Sequence, residues 1–464
     1  WQPAVSSSSG GRAGWPRCRG WSRGGPSAGS RPEQRVGGRS PRRRCRLRKK
    51  STRRPALGPP SVRPQRVVLL RDDLESPKNL LVKGRTHHKP SIYTTPGQVS
   101  SVTATALPNG VKVVSTGAAA SGVVGVALAN AGTACGPMGA AFAAKHMAFK
   151  SANGQTDLAI QRGLELAGST IHATATKTSL IAAVACLPES GGEAATAAAA
   201  TAVGVARSPY IHWEFEETLK QSAAVQADLD ALTTARPLMV AIEEAAYAGG
   251  PLGRRAATKK AVAAMMSTQV DDFLAAAVAT MPITVVGVGF DHADILAYAA
   301  KAFASLGPRD AAMPAVASPF VPGGFAAKMT DAAAPGMAVA LPVASPAMGG
   351  VLAVALGAGG GGADVSYSPS SSLLVAASST ASKADLLAAV TTKLDALTEA
   401  DLAAAKLKYK VATLSKTGVD LAVALCEDPA LLDAAAVDAV TLDACKAALA
   451  GIEPAFAVVA PADD

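Results

Sequence analysis

The chain has 464 residues, 49% hydrophobic and 17% charged, with only 4% aromatic and a formal net charge of +10. That length allows about two to four ordinary domains, and the apolar content, mostly alanine, predicts closely packed helices rather than a ring-rich core. Residues 1–90 hold 23 of the 45 Lys and Arg and 4 of the 35 Asp and Glu, a net of +19, so the rest carries −9. A mildly acidic body argues against nucleic-acid binding by the folded part.

The basic segment centres on PRRRCRLRKKSTRRP (41–55), amid Ser, Gly and Pro. An Arg- and Ser-rich, acid-poor stretch of this kind reads as an organelle transit peptide, expected over residues 1–95. A basic arm for nucleic acid or acidic lipid is the competing reading. The charge stops where folded patterning begins, which favours the transit peptide.

From residue 105 the pattern becomes regular. LPNGVKVVST (107–116) joins a Pro-Asn-Gly turn to alternating valines, a hairpin signature. SGVVGVALANAG (121–132) predicts a strand. Helices follow near 138–150 and 156–167, the second opened by Thr156 and Asp157 and closed by Gly168. Residues 170–188 predict two strands. Helices are expected near 190–206, 211–230, 237–247 and 268–279, then a buried strand at 281–289 and a helix at 292–305.

Residues 306–324 are rich in Pro and Gly and read as a linker. The grammar then repeats. Two strands fall within 328–345, a helix near 346–356 and two strands within 365–380. Helices start at Ser382 and Thr398, each boxed with an aspartate three residues on, Asp385 and Asp401. A last strand lies within 454–462. KTSLIAAVA (177–185) matches SSSLLVAAS (370–378), and STQVDDF (267–273) matches VTLDACK (440–446). So long a period implies duplication. The expected class is α+β: two tandem related domains, 96–305 and a shortened 325–464, each a largely antiparallel sheet covered by helices.

Six scattered cysteines without a CxxC pair predict buried thiols in a reducing compartment. The longest apolar runs, near 194–206 and 347–358, are too short to span a bilayer.

Chemistry-bearing residues are sparse. FAAKHMAFK (142–150) predicts a short helix around His146. A zinc site on it needs a second ligand one turn away, and that place holds Phe142. Lys145 would repel a divalent cation. Glu214, Glu216 and Glu217 cluster where negative charge suits a helix N-terminus. His172 and His212 stand alone, and no Gly-x-Ser-x-Gly elbow is present. The run Gly357, Gly359, Gly360, Gly361 and Gly362 lacks the Lys-Ser/Thr ending of a phosphate cradle. It reads as a flexible loop, with peptide contact as the functional alternative.

LPNGVKVVS, VVGVALANAG and HMAFK together resemble the opening of the pitrilysin-type zinc peptidases, in particular the mitochondrial processing peptidase subunits and the core proteins of respiratory complex III. DLAIQRGLELAGSTIHATATKTSLIAAVACL (157–187) and AAYAGGPLGR (245–254) extend the likeness. Active members carry His-x-x-Glu-His. Carried over, the first histidine falls on Phe142, the glutamate base on Lys145 and the second histidine on His146. WEFEETLKQ (213–221) places Gln221 where a further glutamate ligand would stand. The resemblance therefore implies a degenerate, non-catalytic relative with no cofactor or metal of its own. It implies two halves around a cavity lined by His146 and Lys145, and a core 2-type subunit of the cytochrome bc complex. That subunit would sit on the matrix side of the mitochondrial inner membrane, partnered by a core 1/beta-type subunit, cytochrome b and other complex III subunits, and not by nucleic acid. The alternative is the alpha subunit of processing peptidase, which would hold basic presequence peptides for a catalytic partner.

Overall fold

The computed structural model describes residues 102–460, apart from 118–121, 189–190, 235–236, 310–315, 317, 330–334, 358–363, 380–381 and 417. The expected transit peptide, Cys18, Cys45 and glycines 359–362 lie outside the described residues.

In chain order the first part runs β1 (Thr103–Ala106), β2 (Lys112–Thr116), β3 (Gly122–Ala129), α1 (Ala140–Met147), α2 (Asp157–Leu166), β4 (Thr170–Ala175) and β5 (Ser179–Cys186). It continues with α3 (Gly192–Ala202), α4 (His212–Gln221), α5 (Ala223–Thr234), α6 (Pro237–Ala246), α7 (Lys259–Ala263), α8 (Ser267–Thr280), β6 (Ile283–Val288) and α9 (His292–Ala302). The second part runs β7 (Phe325–Met329), β8 (Gly336–Pro342), α10 (Pro346–Gly357), β9 (Asp364–Ser368), β10 (Leu373–Ser378) and α11 (Lys383–Ala396). It ends with α12 (Glu399–Leu414), α13 (Gly418–Glu427), α14 (Ala434–Asp438), α15 (Leu442–Leu449) and β11 (Ala455–Ala460).

The strands form two sheets, ordered β1-β2-β6-β3-β5-β4 and β7-β11-β8-β10-β9. Leaving out the extra edge strand β1, the two orders are the same topology. In each, the opening strand pairs in parallel with the last, Lys112 opposite Thr284 and Phe325 opposite Phe456, and the other pairs are antiparallel. The matched segments of the repeat fall on β5 and β10, and on the helices α8 and α15 that lead into the last strands. The α+β class and the two helix-covered sheets agree with the expectation from sequence.

Local chemistry explains the element ends. Leu107 N–H donates to Val111 O across the Pro-Asn-Gly turn, where Gly110 takes φ 81°; a side chain is strained there. Thr156, Ser382 and Thr398 cap α2, α11 and α12, and the last two complete their boxes through Asp385 and Asp401. The expected 211–230 helix is two. Ser222 stands at ψ 124°, donates back to Thr218 O and accepts from Gln226 N, so it closes α4 and opens α5.

β3 and β6 are buried along their whole length, as strands covered on both faces must be. On one face Val124, Val126, Leu128, Ile283 and Val285 pack with α1, α3 and α9. The opposite face, Val123, Ala127, Ile181, Ala183 and Val286, is covered by Leu421, Ala422, Leu425 and Cys426 of α13, from the far end of the chain. Reciprocally, the second sheet lays Ala338, Ala340, Val375, Ala457 and Val459 on Ala241, Ile242 and Ala245 of α6. Each sheet is thus finished by a helix from the other part. At Gly125 an added Cβ would lie 3.0 Å from Cys426 Sγ, so the close seating of α13 depends on a missing side chain.

Candidate functional site

Gly139, at φ 88°, starts α1, and the buried alanines Ala140, Ala141, Ala143 and Ala144 let the helix sit close to its neighbours. Phe142 and Lys145, three apart, share one face of it. Lys145 Nζ donates to Asp228 Oδ2 on α5 at 2.5 Å. His146, one turn after Phe142, packs on its ring with centroids 4.6 Å apart. Its Nε2 lies 3.2 Å from the same Asp228 oxygen without the alignment of a hydrogen bond. Burial first, and then the Lys145 ammonium, push the imidazole down to about 4 against the opposing pull of Asp228. His146 is therefore a neutral base at neutral pH.

A catalytic zinc needs about three protein ligands and an open position. Here the position that the resemblance gives to the first ligand holds the benzyl ring of Phe142, the one it gives to the base holds the Lys145 ammonium, and the oxygen nearest His146 is taken by that ammonium. Gln221 is exposed at the end of α4. The carboxylate that reaches α1 is Asp228, two turns further on. Among the described residues no group of three or more His, Cys, Asp and Glu is placed to share an ion. The donor set does not fit zinc.

Glu214 stands in the first turn of α4, where negative charge was expected, and does more there. It is only 5% exposed and accepts from Ser151 N at 3.3 Å and Ser151 Oγ at 3.0 Å. Ser151 Oγ in turn accepts from Asp157 N, and Ser151 O from Arg207 Nη2 at 3.1 Å. The Arg207 guanidinium stacks 3.9 Å over Tyr210. This buried network ties the loop between α1 and α2 to α4. Glu216, by contrast, is half-exposed and pairs with Lys220, and His172 and His212 are exposed. Gly357 is the last residue of α10.

Beside α1 lies a cavity of about 810 Å³ between the two sheets. Phe142 and Lys145 line it and His146 does not, a correction to the expected lining. The reason is packing: the His146 imidazole is spent on the Phe142 ring and lies largely buried. Apolar wall comes from Leu232, Met239 and Val240, and hydroxyls from Thr174 and Thr176 at the end of β4. Charge comes from Lys145, Lys177, Arg255, Lys259 and Lys328 against Asp228 and Glu243. Lys177 pairs with Glu243 at 2.7 Å, both largely buried, and also donates to the carbonyls of Leu252 and Arg254. Sequence reading named Lys145 but missed Lys177, Arg255, Lys259 and Lys328, because they come from three separate segments and no local spacing joins them to α1.

No family model matches the sequence, and no curated protein does. Solved structures do. A protease from Helicobacter pylori superposes with a TM-score of 0.62 at 13% identity, over 78% of this chain and 100% of its own. An M16 peptidase inactive domain from Pseudomonas fluorescens gives 0.61 at 16%, over 78% and 99%. The fold is that of the M16, pitrilysin-type peptidases. Within this fold α1 lies beside the cavity and gives it Phe142 and Lys145.

Proposed function

We propose that this chain is a non-catalytic, core 2-type subunit of the mitochondrial cytochrome bc complex, ubiquinol–cytochrome c reductase. It would be a peripheral scaffold on the matrix side of the inner membrane, with domains at 96–305 and 325–464. The observation that carries the non-catalytic part is α1 itself. The phenyl ring of Phe142 and the Lys145–Asp228 ion pair fill the places of ligand and base, so no water is activated there. The basic residues 1–95 support import into the organelle. Among the described residues no helix is long and apolar enough to cross a membrane. Attachment would come through a core 1/beta-type partner and cytochrome b. The redox centres would belong to other subunits.

The alternative, an alpha subunit that holds basic presequences, is weakened by the cavity, whose lining is predominantly cationic. Mild-detergent purification of the tagged chain decides between them. Co-migration with cytochrome b and haem on a native gel supports the scaffold. A haem-free pair that cleaves presequences would replace it with the alternative.

A further inference from the structure

The cations of the cavity are not evenly compensated. Lys145, Lys177 and Lys259 each have a carboxylate of their own, Asp228, Glu243 and Asp230, at 2.5, 2.7 and 2.7 Å. Arg255 and Lys328 share one. Glu244 Oε1 lies 2.6 Å from Arg255 Nε, and its Oε2 lies 3.3 Å from Lys328 Nζ. Lys328 comes from β7 of the second sheet, and its side chain is only 16% exposed. Arg255 spends Nε on Glu244, and among the described residues its two terminal NH2 groups have no partner. A guanidinium fork matches a carboxylate bidentately, and a half-buried pair of cations on one anion is stabilised by a second anion.

We infer that the cavity is a binding site for a carboxylate-bearing peptide segment, anchored between Arg255 and Lys328 with its apolar side chains on Leu232, Met239 and Val240. The volume suits it, since ligand pockets span about 300–1,000 Å³ and combine apolar walls with a few placed polar groups. The carboxylate can be an acidic side chain or a chain terminus. A basic segment would meet like charge from both anchors. This goes beyond the proposed function and does not depend on it: subunit composition reports that reading, and peptide affinity reports this one.

The test is fluorescence anisotropy of the full chain with short labelled peptides of one apolar sequence. They carry Glu, Gln or Lys at the polar positions, each with a free or an amidated C-terminus. The expected result is that a carboxylate-bearing peptide binds about tenfold or more tighter than its neutral counterpart, with the Lys peptide weakest and affinity falling with salt. Loss on Glu-to-Gln exchange identifies a side-chain carboxylate, and loss on amidation identifies the terminus; either supports the site. Arg255→Gln, half-exposed and so tolerated by the fold, weakens binding about tenfold, and Lys328→Gln does likewise. Lys301→Gln, exposed on α9 and outside the cavity lining, leaves it unchanged, and thermal melts verify that each variant is folded. Tighter binding of the Lys peptide, absence of binding by every carboxylate peptide, or unchanged affinity in a folded Arg255→Gln would overturn the proposal.

Discussion

Replacing Glu214 by alanine removes the acceptor of both Ser151 donors, at a place where both residues are buried. A hydrogen bond to a charged group contributes about 1.5–3 kcal/mol, and a buried donor left without a partner costs about 1–3. Arg207, itself largely buried, also loses a nearby carboxylate, and an under-compensated buried charge is costly. Taken together, Glu214→Ala should destabilise the folded chain by about 4 kcal/mol. Glu214→Gln keeps an oxygen for Ser151 Oγ and should cost about half as much. Urea unfolding followed by circular dichroism reads both. A double-mutant cycle with Ser151→Ala should give a coupling of about 1.5–3 kcal/mol. A coupling near zero, or a Glu214→Ala chain within about 0.5 kcal/mol of wild type, would refute the view that this carboxylate holds the loop after α1.

Leu425→Ala removes three buried carbons, about 2.4 kcal/mol of transfer energy, and leaves a cavity, for about 3 kcal/mol in all. Hydrogen exchange should show β3 and β5 losing protection, although the substitution lies in α13; unchanged exchange in those strands would count against the shared core. Gly350→Ala places a Cβ 2.2 Å from the Tyr409 ring, so the gain of about 1 kcal/mol in helix propensity should be outweighed and the melting temperature should fall. His146 has its folded value, about 4, below its ordinary 6.5. The unfolded chain therefore binds the proton first, and stability is full above about pH 6.5 and falls as pH drops toward 4. His146→Gln should flatten that part of the pH–stability curve, as read by denaturant midpoints across the range.

Much of the fold was legible in residues. The Pro-Asn-Gly turn, the Thr156, Ser382 and Thr398 caps and the valine strands each carry their own local signal, and the paired segments on β5 and β10 expose the duplication. Helix α13 was not, although Gly418 opens it, Asp420 stands in its first turn and Pro429 follows it, because its place is against a sheet of the other part, a contact that no local pattern announces. The division at Ser222 was hidden too, since one serine in a helical pattern is tolerated as often as it interrupts. Of the site, the place of Lys145 on the cavity could be read from α1. Asp228, Arg255 and Lys328 could not, since each is an ordinary charge in its own segment and acquires meaning only from a neighbour far along the chain.

The exchange of α6 and α13 bears on how the polypeptide is made. When β6 leaves the ribosome, every strand of the first sheet exists, yet Val123, Ile181 and Val286 still face solvent. They stay so until Leu421–Cys426 are synthesised. A nascent or truncated chain that ends before α13 therefore presents a sticky, half-clad sheet, and chaperone occupancy should persist until Leu421–Cys426 have emerged.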